Sequence, residues 1–156
     1  MIVLQLRDER ATAALAARVA AEARRGDVIA LKGDLGIGKT SFARAFIRSR
    51  SGRDEEVPSP TFTLVQVYEP PGIPVWHFDL YRLRHPEEVW ELGIEEAWAE
   101  AVTLIEWPER LGPLLPARRL EIALLPGAAP QARRAALDPG PDWAPRLAAL
   151  ASEPPK

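Results

Sequence analysis

The segment that most constrains this chain is Val28-Ile29-Ala30-Leu31, followed after Lys32 by Gly33-Asp34-Leu35-Gly36-Ile37-Gly38-Lys39-Thr40. Consecutive apolar residues without polar alternation predict a strand covered on both faces. The run from Thr40 to Ile47 suits a helix. A strand that breaks into a glycine loop and restarts as a helix is the setting of the phosphate-cradling pattern G-x-x-x-x-G-K-S/T. Glycines let backbone N–H groups curl around an anion without Cβ clashes. The helix start adds partial positive charge at the same point. Lys39 is expected to reach the β- and γ-phosphates of a nucleotide, and the Thr40 hydroxyl to ligate magnesium. The expected nucleotide-binding positions are therefore Gly33, Asp34, Leu35, Gly36, Ile37, Gly38, Lys39, Thr40 and Ser41. The fold class that follows is α/β, a mainly parallel sheet of the P-loop NTPase type with helices on both faces.

The 156 residues suffice for one domain that buries about two-thirds of its unfolded surface. One P-loop domain is expected over 1–150, with 151–156 as a disordered tail. A net charge of −2 gives no overall electrostatic drive toward nucleic acid or membrane. If the protein acts on RNA, a partner must supply most of the phosphate contacts. With no Cys, disulfide and thiolate chemistry are excluded. No leader-like opening and no membrane-spanning apolar run are present, so the chain reads as soluble and cytoplasmic.

Along the chain, Met1–Leu6 predicts a strand, and Asp8 an N-cap for a helix to about Arg25 with Leu15, Ala16, Val19, Ala20 and Ala23 buried. Phe42, Ala45 and Phe46 should face the core from the helix after Lys39. Arg44, Arg48, Arg50 and Arg53 suit that helix's C-terminus, with a solvated face or an RNA or partner contact as readings. Residues 48–57 predict a mobile loop. Phe62–Tyr68 and Val75–Leu80 predict an antiparallel pair around a short Pro/Gly link. Pro58 and Pro60 push the residues before them into extended backbone, so Ser59-Pro60-Thr61-Phe62 reads as a rigid lead-in to the first of these strands. Helices are expected from Pro86 to Leu92, ended by Gly93, and from Glu95 to Glu100. Strands are expected over Ala101–Glu106 and Leu120–Leu125, and a terminal helix over Asp142–Ala151.

A P-loop enzyme needs an acid at the end of a nearby strand. Val75-Trp76-His77-Phe78-Asp79 and Ala101-Val102-Thr103-Leu104-Ile105-Glu106 both have that form. Pro108 stops the second strand at once. Glu106 is assigned to magnesium beside Thr40, and Asp79 either to a supporting position one water removed from the ion or to activating water. With Lys39 these are the expected catalytic residues. His77, in an apolar run, reads as a structural core histidine. Trp107, next to Glu106, is placed to sense a nucleotide.

Taken in order, the motifs resemble one family. They are the glycine loop, Ser59-Pro60-Thr61-Phe62-Thr63-Leu64, Tyr68, His77-Phe78-Asp79-Leu80-Tyr81-Arg82-Leu83, Glu91-Leu92-Gly93 and Glu106-Trp107-Pro108-Glu109. Over roughly residues 8–109 the chain is similar to TsaE, formerly YjeE, the bacterial P-loop ATPase of tRNA threonylcarbamoyladenosine biosynthesis. The resemblance implies an ATP- and Mg2+-dependent cytoplasmic ATPase. It would work with the proteins TsaB and TsaD, and with tRNA indirectly through that complex. TsaD would place the threonylcarbamoyl group on the adenosine 3′ of the anticodon in tRNAs reading ANN codons, and ATP hydrolysis would reset the complex. The matched motifs carry Thr40 and Glu106 over as magnesium ligands and Asp79 as the hydrolytic acid. They place Asp8, Glu9 and Thr12 near the adenine by position. The proline-stiffened Ser-Pro-Thr-Phe segment reads as a switch-like loop near the γ-phosphate. Ile37 stands where the family usually has Ala, and Ser41 where it usually has Thr. No motif lies past Pro113.

Two other classes remain at this level. A small-molecule P-loop kinase would need an arginine-bearing lid, and Arg82 and Arg84 are candidates without a lid-length insertion. A nucleotide-dependent binding module would bind without turnover. The guanine-reading Asn-Lys-x-Asp signature is impossible without Asn.

Overall fold

The computed structural model describes residues 1–52 and 56–151. The strand, glycine loop and helix form as expected: β2 (Val28–Lys32), the glycine loop, then α2 (Lys39–Ser51). Every apolar residue of β2 is buried, because both faces of the strand are covered. On one side of β2 lies β5 (Val102–Glu106), itself buried throughout, then β4 (Val75–Asp79) and β3 (Val65–Tyr68). On the other side lie β6 (Leu120–Pro126), β7 (Arg133–Asp138) and β1 (Ile2–Leu6). The seven-stranded order is β1-β7-β6-β2-β5-β4-β3. β6, β2, β5 and β4 are mutually parallel. Antiparallel ladders attach β3 at one edge and β7 with β1 at the other. The mainly parallel sheet and the antiparallel β3–β4 excursion are both as expected.

Alternation of side chains across the strands splits the core in two. One face of the sheet, with Ile29, Leu31, Leu104 and Ile122, packs against α1 (Glu9–Glu22) and α2. The other, with Val28, Phe78 and Ile105, is covered by 3₁₀ turns over Pro86–Leu92 and Pro108–Leu114 and by α3 (Ile94–Glu100). In α1 the predicted stripe is the buried one, and the Asp8 carboxylate caps the helix by accepting from Ala11 N–H at 2.9 Å. Such a cap is worth about 1 kcal/mol.

The departures have local causes. α1 stops at Glu22, short of Arg25. The Arg24 N–H donates to the Asp27 carboxylate at 2.6 Å, and Gly26, at φ 89°, turns the chain toward β2. The 48–51 stretch is helix and not loop. α2 runs to Ser51 and closes on Gly52, whose N–H reaches the Arg48 carbonyl at 3.0 Å; residues 53–55 lie outside the described part. Arg44 and Arg50 are clips: the first donates to the Val57 carbonyl at 3.1 Å, the second to Ala20 at 2.9 Å. Ala45 is half-buried, while Ala43 and Ile47 join Phe42 and Phe46 in the core.

β3 begins at Val65 and not Phe62. The Leu64 N–H turns back to the Pro60 carbonyl at 2.7 Å, and Leu64 sits at φ 67°. The Ser-Pro-Thr-Phe segment therefore leads into a turn, not directly into a strand. β7 was not expected at all. The terminal helix is broken into α4 (Gly140–Trp143) and α5 (Ala148–Ala151), because Pro145 has no N–H to continue the ladder. Of the expected tail 151–156, Ala151 is the last residue of α5, and residues 152–156 lie outside the described residues.

Candidate active site

Parallel strands end at the same edge, and the ends of β2, β5 and β4 bring the site together. Leu31 pairs in register with Glu106, and Glu106 with Asp79. The two sequence-assigned acids are thus adjacent at the carboxyl edge of the sheet, where α/β folds place ligands. Asp79, Glu106 and Lys39 are all buried polar residues.

The glycine loop takes backbone that side chains rarely adopt. Gly33, at φ 145°, lies so close to the chain that a Cβ would fall 2.8 Å from the Leu124 carbonyl oxygen. Gly38, at φ 121°, starts α2. Asp34, Leu35, Gly36 and Ile37 form the arch between them, with Leu35 largely exposed. The loop is held from behind by Arg133, whose Nε donates to the Ile37 carbonyl at 2.8 Å. Lys39 turns its ammonium back onto the Gly33 carbonyl. That ammonium also lies 3.4 Å from the centroid of the Trp107 ring. Burial lowers the Lys39 pKa, while Glu106, Glu109, Asp79 and Asp34 pull it back up.

Thr40 follows on the first turn of α2. Its hydroxyl lies 2.9 Å from Glu106 Oε1 and 3.1 Å from Oε2. The residues assigned jointly to magnesium from 66 positions apart are in contact. Hydroxyl and carboxylate oxygens are the hard donors magnesium takes. Among the described residues no group of three or more His, Cys, Asp or Glu could cage a metal.

Asp79 is oriented by its own loop. Its Oδ1 accepts from the Tyr81 N–H at 3.1 Å, and Thr61 Oγ1 stands 3.5 Å from its Oδ2. Burial raises the Asp79 pKa, and the Glu106 charge adds to that. The Tyr81 N–H, His77 and Lys39 oppose it. Leu64 and Trp107, the non-glycine residues at positive φ among those described, flank the acids. The Leu64 carbonyl accepts from the Asp79 N–H at 3.0 Å, and Trp107 follows Glu106. Such backbone costs about 1–3 kcal/mol each and collects at functional sites.

Asp8, Glu9 and Thr12 line a pocket of about 510 Å³ with Gly36, Gly38 and Ser41. Its far wall is Pro130 and Gln131 of the β6–β7 link, with Arg133 at the start of β7, a stretch that sequence reading left blank. His77 was also missed as a site neighbour, whereas Thr61 lies in the segment expected near the γ-phosphate. His77 reaches Glu106 Oε2 at 2.7 Å.

Comparison with known proteins bears on the same residues. A family described as threonylcarbamoyl adenosine biosynthesis protein TsaE matches residues 6–135. Curated relatives named tRNA threonylcarbamoyladenosine biosynthesis protein TsaE share 44% identity in Rickettsia bellii, covering 76% of this chain and 83% of that protein. In Bacillus subtilis the identity is 40%, over 72% and 70%. The crystal structure of Bacillus subtilis YdiB superposes with a TM-score of 0.79 at 28% identity, over 96% of this chain and 93% of that one. The family match spans the glycine loop, both acids and the pocket wall as far as Ala135, and the chain belongs to the TsaE family.

Proposed function

We propose that this chain binds ATP with Mg2+ and hydrolyses it as an accessory subunit of tRNA threonylcarbamoyladenosine synthesis. It acts in the cytoplasm with TsaB and TsaD, and meets tRNA through that complex. The observation that carries the reading is the contact between Thr40 and Glu106 at the end of a glycine loop built for phosphate. Among the described residues no helix is long and apolar enough to cross a membrane.

In this reading the glycine-loop N–H groups and the start of α2 hold the β- and γ-phosphates. Lys39 leaves the Gly33 carbonyl for phosphate oxygens. Thr40 and Glu106 would hold magnesium, which when bound supplies charge neutralisation on the β/γ oxygens. Asp79 orients the attacking water and accepts its proton, with its carboxylate aimed by Tyr81 and Thr61. Asp8, Glu9 and Thr12 take the adenine in the pocket closed by the β6–β7 link. The 59–64 turn, which touches Asp79 through Thr61, moves with the γ-phosphate.

Phosphate release from ATP, measured with and without TsaB, TsaD and tRNA, tests this. Magnesium-dependent release, strongest in the full mixture, is expected. A phosphorylated metabolite in place of free phosphate, or binding without turnover under every condition, would contradict it.

A further inference from the structure

Glu106 has a second neighbour besides Thr40. His77 sits on β4, fully buried, opposite Leu104 in the β4–β5 ladder. Glu106 is two residues beyond Leu104 on the same face. The imidazole Nε2 consequently lies 2.7 Å from Glu106 Oε2, with neither side chain more than 3% exposed. The other ring nitrogen, Nδ1, is buried with no protein partner among the described residues. A proton on Nδ1 would be a buried donor with nothing to receive it, so the hydrogen sits on Nε2 and points at the carboxylate.

We infer that His77 is a positioning residue for the magnesium ligand: its Nε2–H anchors Glu106 Oε2 and so fixes the carboxylate whose two oxygens face the Thr40 hydroxyl at 2.9 and 3.1 Å. The inference rests on the nucleotide-and-magnesium reading above and goes further into it. Without the anchor, a carboxylate in this buried space has two oxygens and one hydroxyl to choose between. With it, the orientation is set before the ion arrives. A histidine serving only to fill the core would gain nothing from directing its single hydrogen at a carboxylate, and a leucine would fill that space without a polar atom to satisfy.

The test is calorimetric titration of a non-hydrolysable ATP analogue at a series of MgCl2 concentrations, and again in EDTA. His77→Leu removes the donor. His77→Gln keeps an N–H at nearly the same reach. Outer-shell partners of metal ligands are worth about 10–100-fold in metal affinity, so His77→Leu should raise the half-saturating magnesium concentration by that factor. His77→Gln should restore it to within about threefold. Analogue affinity in EDTA should be the same in all three proteins.

An unchanged magnesium requirement in His77→Leu overturns the inference. So does an equal loss of affinity with and without magnesium that Gln does not restore, because that is damage to the fold. A wild-type protein whose analogue binding ignores magnesium overturns the underlying reading as well, which separates the two failures. Should His77→Leu not fold, nitrogen-15 NMR of the unsubstituted protein decides, with only one other His, His85, to assign. Protonation at Nε2, with a resonance that shifts when magnesium joins the analogue, supports the role. Protonation at Nδ1, or no response to magnesium, overturns it.

Discussion

Asp79 and Glu106 occupy matched positions on neighbouring strands, yet their surroundings differ. Glu106 is gripped by side chains, Thr40 on one side and His77 on the other. Asp79 is held chiefly by a backbone N–H and opens toward the 59–64 turn. Glu106→Gln keeps the shape and loses the charge a magnesium ion needs. Several kcal/mol of charge stabilisation disappears, so phosphate release should fall about 100-fold or more while the melting temperature holds. Asp79→Asn should behave differently. Burial raises the Asp79 pKa above its ordinary value of 3.8, so the folded state binds that proton more tightly than the unfolded chain. Its stabilising contribution is present below the unfolded value and is lost as pH rises through the folded one. At pH 7 the ionised carboxylate opposes folding. Asp79→Asn should then abolish turnover while raising the melting temperature at pH 7, and the gain should vanish at acid pH. A scanning calorimetry series from pH 4 to 8 checks this. At this scale the gathering of Lys39, Thr40, Asp79 and Glu106 at one sheet edge was legible, because each sits where a motif or a strand end demands it. His77 was not, since its partner lies 29 residues away and a lone histidine in an apolar run looks like core.

The glycine loop is a tight element, clipped by Arg133 and pressed against β6 through Gly33. Gly33→Ala would set a Cβ 2.7 Å from Ile37 Cγ2 and 2.8 Å from the Leu124 oxygen, at φ 145°. The loop must shift, so a loss of about 1–3 kcal/mol is expected. Chemical denaturation reads that loss, and titration with the ATP analogue should show weaker binding alongside it. The strand that supports this loop from the side, β7, escaped sequence reading for a physical reason. Its inward residues are Ala135 and Leu137, with Arg133 and Arg134 before them. Ala and Arg favour helix over strand, and the alternation is too faint to compete. Pairing with β1 and β6 on both sides overrides that preference. Strands β2 and β5 were plain because unbroken Val, Ile and Leu have few other uses at that length. The early end of α1 and the late start of β3 turn on single contacts, Asp27 to Arg24 and Leu64 to Pro60, which no periodicity reveals.

For the whole molecule, the arrangement concentrates chemistry at one edge. β1, β6, β2, β5 and β4 all run the same way. The loops after β2, β4 and β5 therefore emerge together, each bearing one part of the site. Two apolar layers, one under α1 and α2 and one under the 3₁₀ turns and α3, fix those strand ends from both sides. The family was legible in the sequence because its motifs fall in order on the glycine loop, the lead-in to β3 and the ends of β4 and β5. The pocket wall from the β6–β7 link was not, because it belongs to a hairpin without a motif. In the proposed function residues 33–40 wrap a triphosphate and Glu106 completes the metal shell. A crystal structure with Mg2+ and a non-hydrolysable ATP analogue tests it most directly. The account predicts the β- and γ-phosphates within the glycine loop and the ion about 2.1 Å from the Thr40 hydroxyl oxygen. The Glu106 carboxylate should contact that ion directly or through one water. A triphosphate bound elsewhere, or a Glu106 carboxylate turned away from the ion, would contradict the account.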